Sequence, residues 1–148
     1  MKALLQRVIE ARVEVEEKIV GQISKGILVF LGVEKGDTEK ELHYIVRKIA
    51  GLRIFYDDAG KMNLAVKDIG GEVLVVSQFT LAADCRKGNR PAFDNAETPE
   101  KAKTMYAQVI AGIRKEGITV ASGEFAAVFV GIVKGGLRGE EVGVWVNG

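Results

Sequence analysis

The sequence predicts an α+β domain in which a barrel-like, mixed or antiparallel β-sheet packs against two main amphipathic helices. Two segments carry the apolar spacing of a helix, and seven shorter runs favour strands. Many strands combined with two amphipathic helices are typical of a sheet or open barrel covered by helices. We predict a single domain over residues 1–148, because the length suits one domain and no linker, repeat or low-complexity segment divides it.

Each predicted helix has its own start signal. Thr38 and Glu41 form a capping box that begins the first helix, and Gly51 suits its end. The second helix begins at Thr98, with Pro99 in the first helical position. Apolar side chains at helical spacing form one face of each helix: Leu42, Ile45, Val46 and Ile49 in the first, and Ala102, Met105, Tyr106, Val109, Ile110 and Ile113 in the second.

The predicted strands are short apolar or β-branched runs. Residues 26–33 form a continuous apolar run, which is typical of a strand buried on both faces, and residues 72–79 form another. The other predicted strands are residues 3–8, 12–16, 118–121, 125–133 and 142–146. Residues 57–60 are predicted to form a turn.

The composition excludes several classes of function. Lys and Arg number 21 against 20 Asp and Glu, so a nucleic-acid contact must come from a local patch. His43 and Cys85 are too few for a Cys/His zinc cluster, and a single Cys cannot form an internal disulfide. For lack of such ligands we expect no metal. We also expect no membrane span, because no apolar run of 18 residues occurs, and a cytoplasmic protein, because the N-terminus lacks a signal-peptide pattern.

Two segments are candidates for chemistry. Ser77, Gln78 and Thr80 crowd the end of a predicted buried strand around Phe79, where hydroxyl and amide groups can bind an oxyanion. On the local pattern alone, we favour a strand end whose Ser and Thr satisfy the local backbone. Residues 86–91 form a loop, here called the basic loop, in which Arg86, Lys87 and Arg90 can bind phosphates or simply be solvated. His43 is predicted on a helix surface, and Cys85 has no partner base.

In this context the sequence resembles the D-aminoacyl-tRNA deacylase (D-tyrosyl-tRNA deacylase) family. The resemblance covers residues 1–127 and rests on these stretches: Leu5-Gln6-Arg7-Val8, Phe30-Leu31-Gly32-Val33, Gly36-Asp37-Thr38, Leu52-Arg53-Ile54-Phe55, Ser77-Gln78-Phe79-Thr80-Leu81, Lys87-Gly88-Asn89-Arg90-Pro91 and Ser122-Gly123-Glu124-Phe125. It implies hydrolysis of the ester of D-aminoacyl-tRNA, and of mischarged glycyl-tRNA, without metal or cofactor. It also implies a homodimer with the active site near the subunit interface.

The sequence departs from the family pattern in a tail that begins at about residue 126. The family has a Gly-Pro dipeptide that enters the partner subunit's pocket and excludes L-amino acids. Leu137 and Arg138 stand at that place in this sequence. A cis peptide bond costs about 3–4 kcal/mol there, against about 0.5–1 kcal/mol before proline, so we expect a different backbone.

The resemblance, read with the residues, predicts a role for each candidate. Thr80 is a candidate nucleophile, but because no base accompanies it we favour the backbone N–H groups around it as binders of the substrate carbonyl. Ser77 and Gln78 orient the adenosine and the ester, and Phe79 packs on the adenine. Arg7 holds the pocket loop, and the basic loop contacts phosphates. The alternatives are an inactive dimeric RNA-binding or scaffold protein of this fold, favoured by the tail, and a generic esterase.

Overall fold

The computed structural model describes residues 1–125, 130–134 and 143–147, the second of these ranges for its backbone only. Its strands are β1 (Lys2–Val8), β2 (Glu10–Val15), β3 (Lys18–Ile23), β4 (Gly26–Gly32), β5 (Phe55–Tyr56), β6 (Met62–Leu64), β7 (Glu72–Ser77), β8 (Val120–Ser122), β9 (Val130–Lys134) and β10 (Gly143–Asn147). Its helices are α1 (Glu39–Gly51), α2 (Pro99–Lys115) and a short 3-10 helix (Phe79–Ala82). The α+β class is confirmed.

The described strands form a mixed five-stranded sheet, an antiparallel three-stranded sheet and a small hairpin. The five-stranded sheet has the order β10-β1-β4-β7-β8, and the three-stranded sheet has the order β3-β2-β9. In the larger sheet β4 and β7 are parallel, as are β7 and β8, whereas β1 is antiparallel to both of its neighbours. The sheet is therefore mixed, and its closure into a barrel stays a prediction.

The larger sheet is buried on both faces. One face packs against the two helices, and its buried side chains include Leu5, Ile27, Val29 and Val75. The other face packs on the smaller sheet through Leu28, Leu74 and Val76, among others. The continuous apolar run at 26–33 thus has the two-sided burial that its composition predicts.

Both main helices begin where their sequence signals place them. The capping box of α1 is complete, because the Thr38 hydroxyl accepts from the Lys40 backbone while the Glu41 carboxylate accepts from the Thr38 backbone N–H at 2.7 Å. Helix α2 starts at Pro99, although the Thr98 side chain makes no capping hydrogen bond. The helices approach closely, since a Cβ on Gly112 would lie 2.9 Å from a methyl carbon of Val46.

Two predicted strands have wrong boundaries, and strands β3, β5 and β6 were not predicted. The strand predicted over 72–79 ends at Ser77, because Phe79 and Thr80 belong to the 3-10 helix. The strand predicted over 125–133 is β9 at Val130–Lys134, and Phe125 lies in a turn. Strand β3 is absent from the prediction, since Gly21 interrupts its apolar residues. Leu137 and Arg138 lie outside the described residues.

Candidate functional site

The segment Ser77–Leu81, here called the motif segment, lies where β7 leaves the sheet. Ser77 is the last residue of β7 in register with β4, where it lies opposite Leu31. The Gln78 backbone N–H still donates to the Leu31 carbonyl at 2.8 Å, and the chain then turns into the 3-10 helix. The polar side chains therefore emerge from the end of a strand whose preceding four residues are all buried.

The motif segment presents backbone N–H groups at an exposed position. Phe79 and Thr80 are the first residues of the 3-10 helix, so their amides have no acceptor within that helix. Both residues are exposed. Such amides can stabilise negative charge that develops on a carbonyl oxygen. The Thr80 hydroxyl accepts a hydrogen bond from the Gln78 side-chain amide, so within the described residues it is paired with an amide and not with a base.

Gly32, at the end of β4, packs against the motif segment. A Cβ added at Gly32 would lie 3.0 Å from the Leu81 Cβ and 3.1 Å from the Gln78 carbonyl oxygen. The absence of a side chain thus lets the 3-10 helix pack directly on the end of β4. The position of the amides is therefore fixed by backbone packing.

An aromatic pair lies beside these amides. The rings of Phe79 and Phe93 meet edge to face, with centres 5.4 Å apart. Both are unusually exposed for phenylalanine, at 60% and 38%. An exposed aromatic pair next to polar groups is typical of a surface that stacks on a base. Sequence reasoning missed Phe93, because its contact with Phe79 is made by folding of the intervening loop.

The basic loop projects from a short backbone pair. Asp84 and Ala92 exchange two backbone hydrogen bonds of 2.7 and 2.9 Å, which close the chain on either side of the loop. Because the 3-10 helix precedes Asp84 and Phe93 follows Ala92, the structure brings the motif segment and the basic loop together. Lys87 and Arg90 are exposed, and within the described residues neither takes part in an ion pair.

Arg86 differs from the other two cations of the basic loop because a carboxylate holds it. Its Nε and Nη2 groups donate to the two carboxylate oxygens of Asp84, at 2.9 and 2.7 Å. The hydrogen bonds from Arg86 lower the pKa of the Asp84 carboxyl well below its usual range, and the same hydrogen bonds raise the pKa of the Arg86 guanidinium. The predicted phosphate contact of Arg86 must therefore form alongside this pair or replace it.

Arg7 lies toward the opposite end of its strand from the motif segment. In β1 the residue that aligns with Ser77 across the sheet is Ala3, and Arg7 is four positions further along, about 13 Å at the usual rise. Its Nη1 donates to the Ile54 carbonyl at 2.8 Å, and its guanidinium lies 4.7 Å from the centre of the Tyr56 ring. Within one chain the structure does not bring Arg7 together with the motif segment.

Tyr106 on α2 makes a hydrogen bond to β7, the strand that leads to the motif segment. Its hydroxyl donates to the Val75 carbonyl oxygen at 2.7 Å, and the Gly123 backbone N–H donates to the same oxygen at 3.1 Å. Burial raises the pKa of Tyr106 to about 12, so the hydroxyl keeps its proton at neutral pH. Sequence reasoning placed Tyr106 in the apolar face of α2 and missed this bond, which joins residues 31 positions apart.

Comparison with known proteins decides the family. The family model described as D-Tyr-tRNA(Tyr) deacylase matches residues 4–136. The chain belongs to this family. A D-aminoacyl-tRNA deacylase of Geobacter sulfurreducens is 57% identical over 127 residues, which are 86% of this chain and 84% of that protein. One of Magnetococcus marinus is 59% identical over 128 residues, which are 86% of this chain and 85% of that protein.

Two solved structures are similar to this chain along almost its whole length. A protein described as "c-Myc DNA Unwinding Element Binding Protein" has a TM-score of 0.91 and 36% sequence identity, with 100% of this chain and 99% of that chain covered. A probable eukaryotic D-amino acid tRNA deacylase has a TM-score of 0.77 at 15% identity, covers 97% of this chain and 98% of that chain, and supports the fold alone.

Two other residues with reactive side chains, His43 and Cys85, lie outside the motif segment. His43 is exposed on α1, as its helical position predicts. Cys85 is exposed at the start of the loop that carries Arg86, and it is a free thiol. In residues 1–125, 130–134 and 143–147, no three His, Cys, Asp or Glu side chains lie together in a way that could hold a metal ion.

Proposed function

We propose that this chain hydrolyses the ester that joins a D-amino acid to the 3′-terminal adenosine of tRNA. The observation that carries the proposal is the start of the 3-10 helix at the exposed residues Phe79 and Thr80, with the aromatic pair beside it, in a chain of the D-Tyr-tRNA(Tyr) deacylase family. Relatives more than half identical over most of the chain are D-aminoacyl-tRNA deacylases. The products are the free amino acid and tRNA, and glycyl-tRNA mischarged on tRNA-Ala is a second proposed substrate.

The proposed chemistry needs positioning and charge stabilisation more than an activated side chain. Water attacks the ester carbonyl carbon, and the carbonyl oxygen, as it becomes negative, accepts hydrogen bonds from the Phe79 and Thr80 amides. The bond from that carbon to the ribose oxygen then breaks, and the leaving oxygen takes a proton. The neighbouring ribose hydroxyl is the proposed proton relay. Thr80 serves through its backbone, because its hydroxyl is paired with the Gln78 side chain.

The remaining residues are proposed to bind substrate. Ser77 and Gln78 orient the ester, and the exposed rings of Phe79 and Phe93 stack on the terminal adenine. Cations of the basic loop contact phosphates of the acceptor stem, so affinity for tRNA falls as salt rises. Leu137 and Arg138 occupy the sequence position that governs chirality in the family, and we propose that they border the amino-acid pocket.

Assembly and location are part of the same proposal. Arg7 is remote from the motif segment within one chain, so a role at the pocket requires a second copy, which agrees with the proposed homodimer. We also propose that the protein acts in the cytoplasm on aminoacyl-tRNA, without a cofactor. Over the described ranges, no helix has the length and apolar character needed to cross a membrane.

The test compares turnover of D-Tyr-tRNA by the purified chain and by Thr80→Ala. Because the proposed oxyanion donors are backbone groups, Thr80→Ala should keep activity within about tenfold of the original chain, whereas loss of a nucleophile costs on the order of 1,000-fold or more. Thr104→Ala is the matched control, since its hydroxyl donates to the Glu100 carbonyl of its own helix. Abolished turnover with intact tRNA binding would restore Thr80 as the nucleophile.

A second candidate function is RNA binding without hydrolysis. It is favoured by one observation, the presence of Leu137 and Arg138 where the family has Gly-Pro. A folded chain that binds tRNA with salt-dependent affinity but releases no amino acid from D-Tyr-tRNA would make this candidate the leading one.

A further inference from the structure

The pair formed by Asp84 and Arg86 leaves a defined edge of the guanidinium group free. Nε and Nη2 each give one hydrogen to the carboxylate, at 2.9 and 2.7 Å. Of the five N–H donors of arginine, three remain, two on Nη1 and one on Nη2. These three point away from the carboxylate, and the Arg86 side chain is 85% exposed. The free edge has the planar, two-pronged shape that matches two oxygens of a phosphate.

The carboxylate that holds Arg86 is itself fixed by the backbone. Asp84 exchanges backbone hydrogen bonds of 2.7 and 2.9 Å with Ala92, and its side chain also accepts from the Arg86 backbone N–H at 3.0 Å. A lone arginine on an exposed loop samples many rotamers, and ordering it on binding weakens affinity. Two hydrogen bonds from the guanidinium and one from the Arg86 backbone N–H restrict that freedom before any ligand arrives.

The same carboxylate is electrostatically costly for an RNA-binding loop. Asp84 brings one negative charge beside the three positive charges of Arg86, Lys87 and Arg90. If charge alone mattered, removal of Asp84 would strengthen binding to RNA. A carboxylate at this position therefore needs a geometric function that outweighs its repulsion of phosphate.

We propose that Asp84 is a positioning residue for RNA recognition, which orients Arg86 so that its Nη1–Nη2 edge takes a backbone phosphate of the bound tRNA. The inference rests on the proposed tRNA substrate and adds to it the residue that sets the geometry of the phosphate contact. Lys87 and Arg90 supply unoriented positive charge on the same loop.

The experiment measures the affinity of the full chain for uncharged tRNA-Tyr over a series of salt concentrations. Asp84→Asn removes the fork and one negative charge, so orientation and charge predict opposite signs. We expect binding to weaken roughly three- to ten-fold, with a shallower salt dependence because a phosphate contact is lost. Asp94→Asn is the matched control, an exposed aspartate near the same loop, and it should leave affinity unchanged or slightly stronger.

A second variant separates orientation from any general disturbance of the loop. Arg86→Lys keeps the charge but cannot form the fork, so it should weaken binding to a similar extent. Once Arg86 is Lys, adding Asp84→Asn should cause no further loss. Tighter binding by Asp84→Asn, or an equal loss from Asp84→Asn in the original and Arg86→Lys chains, overturns the inference.

The outcomes also separate this inference from the proposed function. If Lys87→Ala, Arg90→Ala and Arg86→Lys all leave affinity for tRNA unchanged, the loop does not bind tRNA, and both the loop's role and this inference are wrong. If those variants weaken binding and Asp84→Asn strengthens it, only this inference is wrong. If the affinities behave as expected but D-Tyr-tRNA is not hydrolysed, the positioning role stands and the hydrolytic function is wrong.

Discussion

The hydroxyl of Tyr106 lies 2.7 Å from the carbonyl oxygen of Val75 and donates a hydrogen bond to it. This bond joins α2 to β7 two residues before Ser77, where the motif segment begins. The same oxygen also accepts from the backbone N–H of Gly123, the residue after β8, so α2 and this residue both bond to one atom of β7. The position of the candidate site thus depends on a helix that contributes no residue to the motif segment.

Tyr106→Phe should lower the free energy of unfolding by about 1 kcal/mol, the usual net value of one buried hydrogen bond. The loss is moderate because the Val75 oxygen keeps its bond from Gly123. Urea denaturation of the two chains measures the difference. A loss several times larger would mean that the hydroxyl supports more of the structure than this one bond.

The contribution of Tyr106 to stability should depend on pH in a defined direction. Burial raises the pKa of its hydroxyl to about 12 in the folded chain, above its ordinary value of about 10. The folded state therefore holds the proton more tightly, so this contribution is complete below about pH 10 and is lost as pH rises toward 12. The stability gap between the original chain and Tyr106→Phe should shrink by about 1 kcal/mol near pH 11. A constant gap would contradict the assigned burial.

The helices and the central strands were predictable because their determinants are local. Thr38 and Glu41 cap a helix three residues apart, and the apolar run at 26–33 is uniform. The end of β7 was not predictable, because Phe79 is a good strand residue by type. The chain turns there because Gly32 of β4 leaves space for a 3-10 helix, which no local pattern reveals.

Part of the candidate site can be proposed from the sequence as individual residues, but its arrangement cannot. The motif segment and the basic loop stand out in the sequence. That Phe93 packs on Phe79, and that Asp84 holds Arg86, depends on how residues 84–93 fold back. Arg7 is a candidate site residue through the family resemblance alone. Its distance from Ser77 follows from the register of β1, β4 and β7, which the sequence does not reveal.

Gly32→Ala should reduce both catalysis and stability. The added Cβ would lie 3.0–3.1 Å from Leu81 and Gln78, so the motif segment must move by a few tenths of an ångström. We expect roughly a tenfold fall in kcat/KM for D-Tyr-tRNA, with a cost in stability of about 1–2 kcal/mol. Gly143→Ala is the matched control in the same sheet, because its added Cβ meets Leu4 at an ordinary 3.7 Å. Equal effects from both substitutions would remove the special role of Gly32.

Phe93→Leu should raise KM for D-Tyr-tRNA without unfolding the chain. The ring is 38% exposed, so its replacement by another apolar side chain costs little stability, whereas it removes the proposed stacking surface for adenine. Stacking on one base is worth about 1–3 kcal/mol, so KM for D-Tyr-tRNA should rise roughly five-fold or more. An unchanged KM would place the adenine elsewhere.

Deacylation of D-Tyr-tRNA and L-Tyr-tRNA, measured side by side with the purified chain, tests the proposed activity most directly. We expect release of tyrosine from the D form well above the uncatalysed rate, and sparing of the L form, as the proposed D-selective function requires. Release from neither substrate by the folded protein would contradict the proposed hydrolysis, and equal release from both would contradict its chiral selectivity.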